Sequence, residues 1–406
     1  MKALLKIRDF RLLWSSQVVS TFGDALTNLA LLITAQRLTG SVAAVATTAI
    51  AVALPRLLFG LPAGALVDRW NLKRTMVLSD LGRMVTVLGF IFVTSADRMW
   101  VLYAVAFVQA TLGTFFDPSR TAFTPRVVGK ERLLAANSIS QASVVIAGVV
   151  GTAVAGVAAA SLDTIAPVFI GDSLTFLVSA MLVARVMTNA DPVEKGAHPP
   201  IWASVREGLS LMTSSRPLRA VMIGAGVAML GLGAVNVLLV PFTVDTLGVS
   251  EIWFGPLEAA QVTSMVMSGA LVAGLARRLR PSQLLVGGLA GAGAVVAAVG
   301  AANSVWHLMI LLFLVGWFVT PVQASASTIL QQTVPMELMG RAGSGLSTVS
   351  TAANVASMAL AGTAAVAIGT RGVFIAGGLV TVLAALMVWG LLRNQPSPVA
   401  SGAPAA

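Results

Sequence analysis

Cysteine is absent from the 406 residues. That excludes disulfides, thiolate nucleophiles and Cys-based metal sites. Histidine occurs twice, as His198 in a polar stretch and His307 near an expected helix end. Neither has partner ligands at metal spacing, so both read as structural or solvated, and no metal or cofactor is expected. Charge is scarce at 10% of residues, where a soluble domain carries roughly a quarter. No loop of the G-x-x-x-x-G-K-[ST] type occurs, which removes one class of nucleotide site. Also missing is alternation over segments of about ten residues, the pattern of a membrane barrel.

What is present is apolar residue, 57% of the chain, arranged in long blocks. A block of about 20 residues is the length a helix needs to cross a bilayer core. Lipid cannot satisfy exposed backbone groups, so the spanning elements are expected to be helices. The blocks fall at roughly 11–36, 43–67, 76–95, 99–118, 134–160, 166–188, 218–244, 254–277, 283–302, 306–328, 343–368 and 372–392. The basic start, with Lys2, Lys6 and Arg8, imitates a signal peptide. The segment after it is too long and too polar in its middle, and reads as the first span.

Arginine and lysine set the expected orientation. One set of connections carries Arg8, Arg11, Arg69, Lys73, Arg74, Arg120, Arg126, Lys130, Arg132, Lys195, Arg206, Arg216, Arg219, Arg278, Arg280 and Arg393, among others. The opposite set carries Arg37, Arg98 and Arg371. Both termini are therefore expected in the cytoplasm, in a bacterial-type inner membrane. The net charge of +10 belongs to this topology, and no nucleic-acid partner is expected.

The expected architecture is an all-α membrane protein of twelve transmembrane helices in two pseudo-symmetric six-helix bundles. Residues 1–188 form the first bundle and 218–393 the second. A cytoplasmic linker covers 189–217. Within it Trp202, Val205, Leu209 and Met212 recur at helical spacing, which predicts a short amphipathic helix on the membrane surface. The tail, 394–406, is expected to be disordered. The halves echo each other: Ala63-Gly64 with Ala273-Gly274, Gly23 with Gly233, and Phe116-Asp117-Pro118 with Val319-Thr320-Pro321. Halves related in this way put a site between them near the midplane.

The stretch joining the second and third blocks carries the most information. Gly64 precedes Asp68-Arg69 by four residues, and Lys73 and Arg74 follow a tight turn. Asn71 is expected to take the left-handed conformation there. This spacing resembles the signature loop of the major facilitator superfamily, with Asn71 where glycine is usual and Leu72 where a basic residue is usual. Phe10-Arg11-Leu12-Leu13-Trp14, Phe22-Gly23-Asp24, Phe116-Asp117-Pro118-Ser119-Arg120 and Arg132-Leu133-Leu134-Ala135-Ala136-Asn137 resemble a bacterial branch that exports drugs and siderophores, including macrolide-efflux and enterobactin-export proteins. The resemblance implies that Asp68 faces the start of the eleventh helix and holds the cytoplasmic side shut. It also implies that Arg69 or Arg74 pairs with Asp117. Two features usual in the branch are missing: an arginine within the fourth helix, and the glycine-proline motif of the fifth.

Intramembrane polar residues supply further candidates. Asp24 shares a stripe with Gln17, Ser20, Thr27 and Asn28 at spacings of three and four, and such a stripe faces water or protein. Arg56 lies at similar depth in the next helix, so an Asp24–Arg56 pair is expected. Glu258, Gln261, Ser264 and Ser268 follow one face of the eighth helix, and Ser347, Thr351, Asn354 and Ser357 one face of the eleventh. Asp172 sits inside the sixth, with a structural or a coupling role. These residues imply a secondary transporter, not an enzyme, that exports a small, partly hydrophobic compound by alternating access. Protons are the expected counter-ion, and a monomer the expected state. An importer or uniporter of a polar metabolite on the same fold is the alternative, disfavoured by an expected apolar cavity. A channel or an intramembrane enzyme would need a pore repeat or a catalytic constellation that the sequence does not display.

Overall fold

The computed structural model describes residues 2–67, 69–191, 201–275, 278–335 and 338–393. The first half contains six long helices: α1 (Arg8–Thr39), α2 (Val42–Val67), α3 (Leu72–Val87), α4 (Met99–Val128), α5 (Leu133–Ser161) and α6 (Ala166–Ala184). The second contains α7 (Arg216–Pro241), α8 (Phe254–Leu275), α9 (Pro281–Val299) and α10 (Val305–Thr333). The last helical stretch, Met339–Leu392, is broken at Gly369, whose φ of 71° only glycine adopts readily. We call its arms α11 (339–368) and α12 (370–392). Among the described residues, ten helical segments are long and apolar enough to cross a membrane. One of them, Gly345–Leu392, holds two spans across the break. With α8, whose 22 residues include one charged group, Glu258, the twelve expected helices are present. The expected spans fall within these helices or overrun their ends by a few residues, except 76–95, which runs past α3 through a 3-10 turn, Leu88–Phe92.

Packing repeats between the halves. Within the first, α1 lies on α5 and α6, α2 on α4, and α3 on α4 and α6. Within the second, α7 lies on the α11–α12 arm pair, α8 on α10, and α9 on α10 and α12. Small residues permit close approach, as is usual where helices cannot rely on a hydrophobic driving force. Gly23 of α1 lies against Asp172 and Thr175 of α6, and Gly231 of α7 against Thr381 and Gly377 of α12. The structural counterpart of Gly23 is thus Gly231. Gly233, the expected match, faces Asn354 and Ser357 of α11 instead.

The halves meet at the end of the bundle away from the chain termini. There α2 meets α11 through Ala46 and Gly362, and α5 meets α8 through Ala153 and Gly255. Gln36, at the end of α1, donates to Asp245 after α7. Arg37 makes an ion pair with Glu251 at 2.7 Å and donates to the Ala159 carbonyl. At the opposite end a Cβ built on Gly64 or on Gly343 would meet nothing within 4 Å. Seen from the membrane plane, the halves are joined at one end and parted at the other.

The amphipathic helix of the linker is present as Ile201–Ser214. It does not lie free on a surface. Met212 is fully buried with Leu218 and Ala342, and Gly208 touches Gly345. The helix therefore docks on the first turns of α11. Residues 192–200 and the tail lie outside the described residues.

Candidate functional site: a charged cluster beside a central cavity

A cavity of about 850 Å³ lies between the halves on the parted side. Residues of α1, α2, α3, α4, α5, α7 and α11 line it. Of the expected site residues, Gln17, Asp24, Asn28, Arg56, Asp117 and Asn354 are in this wall. Glu258 and Gln261 are not among its described lining residues. Glu258 bonds Thr152 of α5 instead, and Gln261 packs its carbonyl against Gly316. The polar face of α8 therefore serves helix packing. Many of the lining residues are polar or charged, while apolar atoms supply the larger part of the cavity's surface.

The expected Asp24–Arg56 pair does not form. Asp24 binds Arg83 of α3, and Arg56 reaches Asp117 of α4 at 3.7 Å. The depth argument was sound, but it could not choose between neighbouring helices, and the long Arg83 side chain reaches across from α3 to Ser20 and Asp24 on the polar stripe of α1. Asp117 also lies 3.8 Å from Arg120, one turn further along α4. Its partners are therefore Arg56 and Arg120. The expected pairing with Arg69 or Arg74 is not found.

Arg83 is the centre of a buried cluster. Its side chain is 6% exposed. It binds Asp24, lies 3.5 Å from Asp80 one turn earlier, and sits 4.0 Å over the ring of Phe176 in α6. Asp80 is fully buried and accepts a 2.5 Å hydrogen bond from Ser179 of α6. Asp172, also fully buried, accepts from Thr27 of α1 at 2.5 Å and from Thr175 at 2.9 Å, and its charge reaches Arg83. Three carboxyls and one guanidinium thus share the junction of α1, α3 and α6. Fully ionised, the group carries an excess of two negative charges in a poorly solvated place, and protons are the simplest means of balancing it. Of the three carboxyls, Asp24 is the one in the described cavity wall, with 40% of its side chain exposed, and Arg83 lines the wall beside it.

The sequence reading passed over Asp80 and Arg83. Their signal is an acidic and a basic residue three apart inside the apolar block 76–95, on one helix face. In the second half α9 contains no charged residue, and α9 meets α12 through Gly293 and Gly378. The charged junction therefore belongs to the first half.

The signature loop is only partly described, and Asp68 lies outside the described residues. Asn71 has φ −69° and caps α3, accepting from the Arg74 amide at 3.0 Å. It is not in the left-handed region. Its side chain also donates to Asp191 at 2.7 Å. This capping role explains why asparagine serves where glycine is usual. Lys73 donates to the carbonyls of Ala184 and Val186 at the end of α6, where a cation complements the helix dipole. Arg69 and Arg74 are exposed. Among the described residues no group of three or more His, Cys, Asp or Glu is arranged for a metal.

Comparison with known proteins agrees with this geometry. Macrolide efflux protein A of Streptococcus pyogenes is 24% identical over 65% of this chain and 65% of its own length. The chain thus spans a little under two thirds of that relative. Multidrug efflux pump Tap of Mycolicibacterium fortuitum is 26% identical over 89% of this chain and 90% of its own. The MFS-type transporter YfiS of Bacillus subtilis is 26% identical over 92% and 91%. Two solved structures share the fold. Nucleoside transporter NupG has a TM-score of 0.78 at 9% identity, covering 94% of this chain and 100% of its own. A bacterial homologue of the iron transporter ferroportin, in an inward-facing state, has 0.76 at 15%, covering 95% and 99%. Residues 13–299 and 263–406 match the family described as the Major Facilitator Superfamily. Two six-helix halves around a central cavity, the relatives and this match lead to one conclusion: the chain is a multi-pass membrane transporter that belongs to the Major Facilitator Superfamily.

Proposed function

We propose that this transporter exports a small solute from the cytoplasm by alternating access, in exchange for protons that bind the Asp24–Arg83–Asp80–Asp172 cluster. One observation carries the reading: Asp24, of the cluster's three carboxyls, is in the wall of the cavity that a substrate would enter. Substrate and proton can therefore compete for one carboxylate. A proton would neutralise part of the excess negative charge, and substrate binding beside Asp24 would favour its release. The relatives named for macrolide and multidrug efflux support export. The charge bias of the loops supports a cytoplasmic location for the parted end and both termini, in the inner membrane. In that orientation the conformation is inward-facing. Asp68 and Gly64 would then act at the open end, closing it in the alternate state.

Coupling needs interactions that differ between states. The contacts at the sealed end, Gln36–Asp245 and Arg37–Glu251, join the halves in this state and must part in the other. Each unit of charge that crosses the membrane gains about 2.3 kcal/mol per 100 mV, which is enough to drive accumulation. The polar lining favours a second reading, import or uniport of a polar metabolite on the same fold. Everted vesicles decide between them. Export predicts that an acid-inside proton gradient drives uptake of a macrolide probe, erythromycin, into everted vesicles, with dependence on Asp24. Movement in the opposite direction, or uptake without a gradient, supports the second reading.

A further inference from the structure

We infer that the solute enters sideways from the bilayer leaflet at the parted end, through a portal between α5 and α8, and that it is an amphiphile with a hydrogen-bonding head and an apolar body. The inference rests on the transport reading above and adds the route and the class of its solute. Toward the sealed end α5 and α8 touch: Ala153 meets Gly255, and Thr152 bonds Glu258. Nearer the parted end they diverge. Gln141 lies about 16 Å along α5 from Thr152, and there a groove of about 880 Å³ separates the two helices. Asn137, Gln141 and Ile146 of α5 and Thr263, Val266 and Met267 of α8 are among its lining residues. Gln141 also lines the central cavity. One side chain thus forms the lip between the groove outside and the cavity inside.

The groove has two chemistries. Ile146, Val266 and Met267 are exposed, and on spanning helices an exposed apolar patch faces lipid. Asn137, Gln141 and Thr263 are exposed in the same groove, although polar side chains on spanning helices usually turn to protein or to water. Asn137 and Gln141 stand four residues apart, on one face of α5. Acyl chains alone would leave these amides unsatisfied, and a fully polar solute would leave the apolar wall uncovered. An amphiphile answers both, and Met267 adds a side chain that adapts to varied shapes. The seam on the other side, α2 with α11, is built differently. There the linker helix, Ile201–Ser214, packs on α11 and touches α2, so it bridges that seam at the parted end. The portal is therefore assigned to the α5–α8 side.

The test uses the full chain in lipid nanodiscs and a photoreactive amphiphile, N-methyl dodecanamide with a diazirine in its chain. The matching hydrocarbon, with the diazirine and no amide, is the control. The amide probe should label segments 137–146 and 262–267 about fivefold above the lipid-facing segment 174–181 of α6, the equivalent of one hydrogen bond. The hydrocarbon should label all three evenly. Asn137→Leu with Gln141→Leu should bring the amide probe down to the level seen on α6. Ala142→Trp, at an exposed groove position, serves as a second variant. It fills the groove and should raise several-fold the erythromycin concentration that gives half-maximal uptake in everted vesicles, while Leu174→Trp on the outer face of α6 should not. Even labelling by the amide probe, unchanged labelling in the folded leucine variant, or wild-type uptake in Ala142→Trp overturns the portal. If the wild type shows no proton-driven uptake, the transport reading fails instead, and the labelling still decides the portal.

Discussion

The guanidinium of Arg83 in α3 holds the carboxylate of Asp24 in α1 while resting 4.0 Å over the Phe176 ring of α6. One side chain thereby ties three helices at mid-depth. Asp80 shares it and is itself fully buried. Removing one partner of a buried pair strands the other, at a cost of about 3–5 kcal/mol. Arg83→Met is therefore expected to lower the melting temperature in detergent strongly. Adding Asp80→Asn to it should recover part of the loss, because one of the two fully buried carboxyls beside Arg83 is gone. Thermal unfolding followed by tryptophan fluorescence checks both. Equal instability of the single and the double variant would mean that Arg83 matters by its packing alone.

Gly23 is expected to tolerate no side chain. A Cβ there would collide with the Asp172 carboxylate and the Thr175 hydroxyl. Overpacking of this kind costs about 1–3 kcal/mol, and here it would also displace a member of the cluster. Gly23→Ala should lose both stability and transport. Gly64→Ala meets open space in this state and should keep stability. Parallel melting curves and transport assays separate the two.

Asn71 is expected to act as a helix cap. Asn71→Ala should cost about 1 kcal/mol and Asn71→Gly only a few tenths, with the loss of the Asp191 contact common to both. A left-handed turn residue would behave in the opposite order, with glycine better than asparagine. Chemical unfolding of the two variants distinguishes the roles.

The sealed end should be a contact between halves that comes and goes. The chain has no cysteine, so Gln36→Cys with Asp245→Cys gives a clean pair. Crosslinking should be extensive without substrate and should fall when a transported solute is present. Crosslinking that is insensitive to every solute would contradict a moving contact there.

Much of the fold was legible because length and hydropathy alone define a spanning helix. The helix α3 was legible in the same way, yet its Asp80 and Arg83 were not recognised as a site. Periodicity says which residues share a face of one helix, and it does not say which helix that face meets. Asp24 was found because its stripe of Gln17, Ser20 and Thr27 is long. Its partner was misassigned to Arg56 because depth fixes only one of three coordinates. Asn71 was misread for a related reason: asparagine suits both a left-handed turn and a helix start, and only the backbone chooses.

In the proposed mechanism, protons on the Asp24–Arg83–Asp80–Asp172 cluster set which end of the bundle is closed. The most direct measurement places spin labels at Ser41→Cys and Ser250→Cys, one in each half at the sealed end, and follows their distance in nanodiscs as pH changes. Antiport requires the proton-loaded protein to turn inward. Acid should therefore raise the population with the short distance, and alkali should lower it. Asp24→Asn combined with Asp80→Asn, which leaves one arginine facing the single remaining carboxylate of Asp172, should remove the pH response. A distance that responds to pH in this variant as in the wild type would contradict the claim.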